Sequence, residues 1–198
     1  MRRTLSLALL TVLLAPPVLG QSAELIERYE ADRATVRELV GDLTPEQWSF
    51  KPAPDRWSIA EVLEHVIVNE KIVWGVLTEQ LTDVEVSDES RAQSAAFEEQ
   101  IASTLRNRGQ RFQAPETLEP TGRWAGGDEV VGMFKEVRGG MLRWLSETDF
   151  DLRTKQALNP VIQMDMDAHT WAVVTVEHSA RHQQQILEVM EDAGFPGR

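Results

Sequence analysis

The chain has 198 residues, with 32 acidic against 20 basic side chains, a formal charge of −12 and no cysteine. Without cysteine, disulfides, thiolate metal ligands and a lipoprotein anchor are excluded. The acidic surplus argues against nucleic acid or an anionic membrane surface as a partner, because both require a basic footprint.

The first segment, MRRTLSLALLTVLLAPPVLGQS, sets Arg2 and Arg3 before an apolar stretch from Leu5 to about Leu14, then Pro16 and Pro17, then Val18 and Gly20 as small residues. That order predicts a secretory signal peptide over 1–20, too short and too broken by proline to span a membrane. RRTLSL is an incomplete twin-arginine pattern. Cleavage after Gly20 takes away two arginines and no acids, leaving 18 of the 20 basic side chains against all 32 acidic ones, a charge of −14. The expected location is therefore periplasmic or secreted, with no membrane attachment after cleavage. Residues 21–198 suffice for one domain with a sizeable core.

Residues 23–41 place Leu25, Ile26, Tyr29, Val36, Leu39 and Val40 at helical spacing, with Gly41 as a stop. The following DLTPEQWSFKPAPDRW, rich in proline and tryptophan, is expected to be an ordered but irregular connector. Ser58 and Glu61 have the spacing of a capping box, and Val62, Val66, Val73 and Val76 continue in register, which predicts a helix to about Leu81. After the polar stretch TDVEVSDESRAQS, Phe97, Ile101 and Leu105 mark a narrow stripe on a short, exposed helix ending at Gly109.

Residues 109–128 form a long Pro/Gly-rich loop, of a length usually functional or mobile, and a candidate lid. From Glu129 a helical pattern resumes with Val130, Met133, Phe134, Val137, Met141, Leu142 and Leu145, weakened at Gly139 and Gly140. Beyond a second connector, residues 168–193 read as helix, stopped by Gly194 and Pro196. Its WAVVTV is rich in β-branched residues, but the periodic run continues for another four turns and favours helix. No strand is expected. Four principal helices, one extra short helix and long connectors make an all-α four-helix bundle the expected architecture.

On the last helix Trp171, Val174, His178, His182, Gln185 and Val189 follow steps of three and four, so two imidazoles interrupt a stripe expected to meet the core. On the Ser58 helix, His65 lies roughly 60° from Val62 and roughly 40° from Asn69 at about 100° per residue, again near the interior. A buried imidazole without partners loses about 1 to 3 kcal/mol, so three need compensation. A divalent metal supplies it, and three neutral histidines leave coordination positions open, the pattern of a catalytic site. His169 falls off the central turns and is expected to cap the helix or face solvent.

WSIAEVLEH with His65, APETLEPTGRW followed by a helix carrying Phe134 and Arg138, and HSARHQQQIL with His178, His182 and Gln185 together resemble the DinB/YfiT-like superfamily, in its DinB_2-type branch. The resemblance spans most of residues 21–198. It implies a four-helix bundle holding a divalent metal ion, zinc, nickel or manganese, on one histidine of the second principal helix and two of the last, here His65, His178 and His182. Relatives include hydrolase-like proteins and thiol-dependent transferases. Thiol transfer requires a reducing compartment, which conflicts with an export signal.

A metal on three neutral histidines favours metal-assisted hydrolysis, through a bound water of lowered pKa. The zincin pattern is absent, since Ser179 stands where the catalytic Glu would follow the first histidine. Glu61, one turn before His65, is the candidate catalytic base, although the capping box already engages it; Asn69, one turn after, can support a ligand from behind. Gln185 is expected to orient a ligand, Arg181 to form a salt bridge at the bundle edge, and Trp124 to contact an apolar substrate. The expected function is an exported metal-dependent hydrolase with a small-molecule substrate; a homodimer is compatible with it. The alternatives are a metal- or ligand-binding bundle without turnover, a thiol-dependent transferase, and a structural domain whose histidines bond each other and Gln185.

Overall fold

The computed structural model describes residues 19–124 and 126–197; the expected signal peptide lies outside them except for its last two residues. In chain order the elements are α1 (Leu19–Val40), α2 (Pro45–Ser49), α3 (Ile59–Glu79), β1 (Thr82–Asp83), α4 (Asp88–Arg106), α5 (Gly127–Glu147), β2 (Lys155–Asn159), β3 (Met164–Asp167) and α6 (Ala168–Met190), with 3-10 turns at Glu116–Leu118 and Leu152–Thr154. Helices α1, α5, α3 and α6 touch in a closed ring, and α4 packs against α6 from outside it. This is the expected four-helix bundle.

Its interior has two apolar clusters. One gathers Leu25, Tyr29, Val73, Met141, Leu145, Trp171 and Val176; the other gathers Val36, Ile59, Val62, Val66, Val130, Phe134 and Ile186. Between these levels each helix of the ring supplies polar groups: Asp32 from α1, Glu70 from α3, Arg138 from α5, and Ser179 and Gln183 from α6. Arg138 Nη2 bonds Glu70 and lies 2.8 Å from Asp32 Oδ2. Asp32 in turn accepts from Ser179 Oγ at 2.9 Å and Gln183 Nε2 at 2.5 Å. A buried ionic layer satisfied only in one register favours that register over slipped packings of the same apolar stripes.

Three sequence expectations require correction. Strands are present: β1, β2 and β3 form a small antiparallel sheet in that order, with Thr82 opposite Gln156 and Asn159 opposite Met164. These runs of two, five and four residues are too short to leave a periodic signal. The sheet has a structural purpose, because β3 ends on Asp167, whose side chain accepts the Thr170 amide at 2.7 Å and starts α6.

The 42–57 connector contains α2, closed by a Thr44–Gln47 capping box with Pro45 in its first turn. Helix α4 begins earlier than expected and runs 19 residues, because Ser87 caps it by accepting the Ser90 amide at 3.1 Å. The adjacent glycines do not interrupt α5, which runs unbroken from Gly127 to Glu147. A Cβ on Gly140 would lie 2.8 Å from Trp74 Cη2, whereas one on Gly139 would meet nothing within 4 Å. Gly140 is thus the slot into which Trp74 packs.

Candidate metal centre

The Ser58–Glu61 box fixes the start of α3, with Glu61 Oε2 accepting the Ser58 amide at 2.8 Å and Ser58 Oγ accepting the Glu61 amide at 3.3 Å. From that start His65 emerges towards α6. There His178 Nε2 lies 3.1 Å from His65 Nε2 and 3.1 Å from His182 Nε2. Among the described residues these three form the group able to hold an ion, with one ligand atom each, all within 4.8 Å of one another. Rather than filling the centre of the bundle, they stand between α3 and α6, while Ser179 and Gln183 take the interior positions of α6.

Each ring is backed at its second nitrogen. His65 Nδ1 lies 2.8 Å from the Leu118 carbonyl, which can only accept, so Nδ1 carries the proton and Nε2 is bare. His182 Nδ1 lies 2.9 Å from Gln185 Oε1, with the same consequence. Gln185 is thus bonded to His182, one of the three candidate ligands. His178 Nδ1 faces the Asn69 amide nitrogen at 3.3 Å. With Asn69 donating, His178 holds its proton on Nε2 and shares it with its two neighbours; with the amide turned over, Nδ1 donates to its oxygen and three lone pairs converge. The first arrangement suits a metal-free site and the second a cation. The 3.1 Å edges agree with the spacing of about 3.3 Å between nitrogens that each lie about 2.0 to 2.1 Å from one zinc ion.

Electrostatics favour neutral imidazoles. Burial pushes the His65 imidazole below its usual range, against the pull of its bond to Leu118. Burial, then His65 and Arg181, pushes His178 down to about 3. Burial, then the two other histidines, holds His182 well below the ordinary value. All three therefore keep lone pairs near neutral pH, as ligation requires. The Trp57 ring, 5.0 Å from that of His65, forms an aromatic flank.

The loop expected as a lid is docked. Glu64, beside His65, accepts the amides of Thr121 at 2.8 Å, Gly122 at 3.0 Å and Arg123 at 3.2 Å. Arg181, beside His182, donates to the carbonyls of Leu105 at 2.8 Å, Asn107 at 3.0 Å and Gln110 at 2.6 Å. Arg181 is thus a buried clamp on backbone, not an edge salt bridge. His169 neither caps nor faces solvent: its Nδ1 lies 2.9 Å from Glu98, which also binds Arg153 and Thr170. Trp124 packs on the second apolar cluster.

Glu61 sits with Oε2 on the Ser58 amide and Oε1 2.7 Å from Lys51 Nζ. Two clefts of about 720 and about 410 Å³ follow the α1–α5 seam, both lined by Arg37, Val40, Val131 and Lys135, and neither touches a histidine of the triad. The donor set, not cavity size, therefore marks the candidate site. Sequence reasoning missed Glu64. Glu64 had a signal, a charged residue on the buried side of a core helix.

Known proteins resemble this chain in sequence and fold. The chain is 27% identical over 165 residues to the uncharacterized protein YuaE of Bacillus subtilis (strain 168), covering 82% of this chain and 94% of that protein. It shares its fold with YfiT from Bacillus subtilis at a TM-score of 0.57 and 18% identity, over 89% of each chain. YfiT is described as "a probable metal-dependent hydrolase with an unusual four-helix bundle topology". The model of the DinB superfamily matches residues 28–186, from α1 to α6 with all three histidines inside, and the chain belongs to that family.

Proposed function

We propose that this chain is a metal-dependent hydrolase of small molecules, with His65, His178 and His182 as ligands of one divalent ion, zinc, nickel or manganese. The observation that carries the reading is the convergence of three neutral imidazoles from two helices, each backed at its far nitrogen. A divalent ion so held lowers the pKa of a bound water towards about 7 and polarises a carbonyl or phosphoryl oxygen. The residues do the rest. Leu118 and Gln185 fix two tautomers, Asn69 supports the third ring, and Trp57 limits the space beside His65. The description of YfiT agrees with this reading. The export signal expected over 1–20 supports a periplasmic or secreted activity, a setting in which the thiol-transferase alternative lacks its reduced co-substrate.

Glu61 is the proposed base, and would act by releasing Lys51. Gln at the same position preserves a capping box and removes the base. A second reading, binding without turnover, is favoured by the engagement of both Glu61 oxygens. A screen of ester, amide and phosphoester substrates with metal-loaded protein separates the two. The hydrolase reading expects turnover that His178→Ala abolishes and Glu61→Gln reduces; turnover unaffected by His178→Ala contradicts it.

A further inference from the structure

Glu64 is 3% exposed, yet its oxygens are spent on the connector rather than on its own helix. Oε1 accepts the Thr121 amide and Arg123 Nη1, the latter at 2.5 Å; Oε2 accepts the amides of Gly122 and Arg123. Arg123 Nη1 also donates to the Glu119 carbonyl at 3.2 Å. Gly122 has φ +73°, a left-handed conformation that turns consecutive amides onto one carboxylate and that a side chain would strain. Just before this loop, in the 3-10 turn Glu116–Leu118, lies the carbonyl that accepts from His65 Nδ1. The path is closed: His65 to Leu118, along the chain to residues 121–123, into Glu64, and back to His65 through one peptide bond.

The geometry points to Glu64 as a positioning residue for His65. It fixes the loop, the loop fixes the Leu118 carbonyl, and that carbonyl keeps the imidazole proton on Nδ1 with Nε2 bare towards His178 and His182. A neutral histidine without such a partner carries its proton on either nitrogen, and with it on Nε2 the ring is no ligand there. This role rests on the reading of the triad as a metal site, but its first consequence, the tautomer of His65, needs no metal.

The test combines 15N NMR of the metal-free full chain, at a pH where the triad is neutral, with Zn2+ affinity by chelator competition. Both are measured well below the melting temperature of every variant. Wild type should show His65 protonated on Nδ1. Glu64→Gln and Gly122→Ala, which reach the loop by separate routes, should mix the tautomers and weaken Zn2+ binding about tenfold or more, the range for loss of a ligand's supporting partner. Glu98→Gln, which removes another buried ion-paired carboxylate, should lower the Tm and change neither readout. The role is overturned if His65 keeps its tautomer in both loop variants, or if Glu98→Gln moves both readouts as far. A wild type that binds no Zn2+ while Glu64→Gln still shifts the tautomer refutes the metal site and leaves the positioning role standing.

Discussion

Replacing Arg138 by Met probes the layer that sets the register of α6. The guanidinium is 0% exposed and serves two carboxylates, Glu70 and Asp32, while its Nε and Nη1 and the second oxygen of Glu70 have no hydrogen-bond partner among the described residues. Methionine fills similar length but leaves two acids buried without a cation. Removal of one member of a buried ion cluster costs about 3 to 5 kcal/mol, a large part of the about 5 to 15 kcal/mol that holds a domain. For a chain of this size that is a fall in Tm of about 6 to 20 °C.

The loss should depend on pH in one direction. Burial raises Glu70 to about 7 even against the pull of Arg138, and raises Asp32 as well. Without the cation both rise further. Acids raised in the folded state contribute fully below their unfolded values, about 4, and lose that contribution as pH climbs through the folded values. Urea unfolding followed by circular dichroism at pH 5 and pH 8, without metal, should show the smaller loss at pH 5 and the larger at pH 8. A loss below about 1 kcal/mol at both, or a larger loss at pH 5, refutes the layer as an ionic lock.

The cluster around Glu98 should show the opposite slope. Burial favours the neutral acid there, but bonds from His169, Arg153 and Thr170 outweigh it and hold Glu98 down at about 2. Its contribution, about 3 kcal/mol, is complete above about pH 4.5 and lost as pH falls towards 2; Glu98→Gln should flatten that acid limb in a pH series of thermal melts. In α5, Gly139→Ala meets nothing within 4 Å and should stabilise by about 0.5 to 1 kcal/mol. Gly140→Ala gains the same propensity but drives a Cβ to 2.8 Å from Trp74, and overpacking of about 1 to 3 kcal/mol should make it destabilising. Equal Tm changes for the two would contradict the slot.

What the sequence revealed follows from the length of its signals. Long periodic runs announced all four ring helices, and steps of three and four put His178 and His182 on one side of α6 with Gln185 behind. The bond from Asn69 to His178 was also within reach, one helical turn from His65. The strands were too short for any period. The docked loop was hidden for another reason: Arg181 and Glu64 hold it through backbone carbonyls and amides, which have no residue-type signature, across separations of 57 to 76 residues. His169 was misjudged because its partner Glu98 comes from α4, whose packing on α6 no local pattern announced. The ionic layer was overlooked likewise, since Asp32, Glu70 and Arg138 look like solvated charges until the bundle closes over them.

The central claim is that imidazoles from α3 and α6 share one ion. Zn2+, Ni2+ and Mn2+ titrations of tag-free protein, read by calorimetry and by elemental analysis after dialysis, test it most directly. One ion per wild-type chain is expected, with binding lost or weakened by orders of magnitude in each of His65→Ala, His178→Ala and His182→Ala. A wild type that retains none of the three metals, or a His65→Ala variant that binds as well as wild type, would contradict the account.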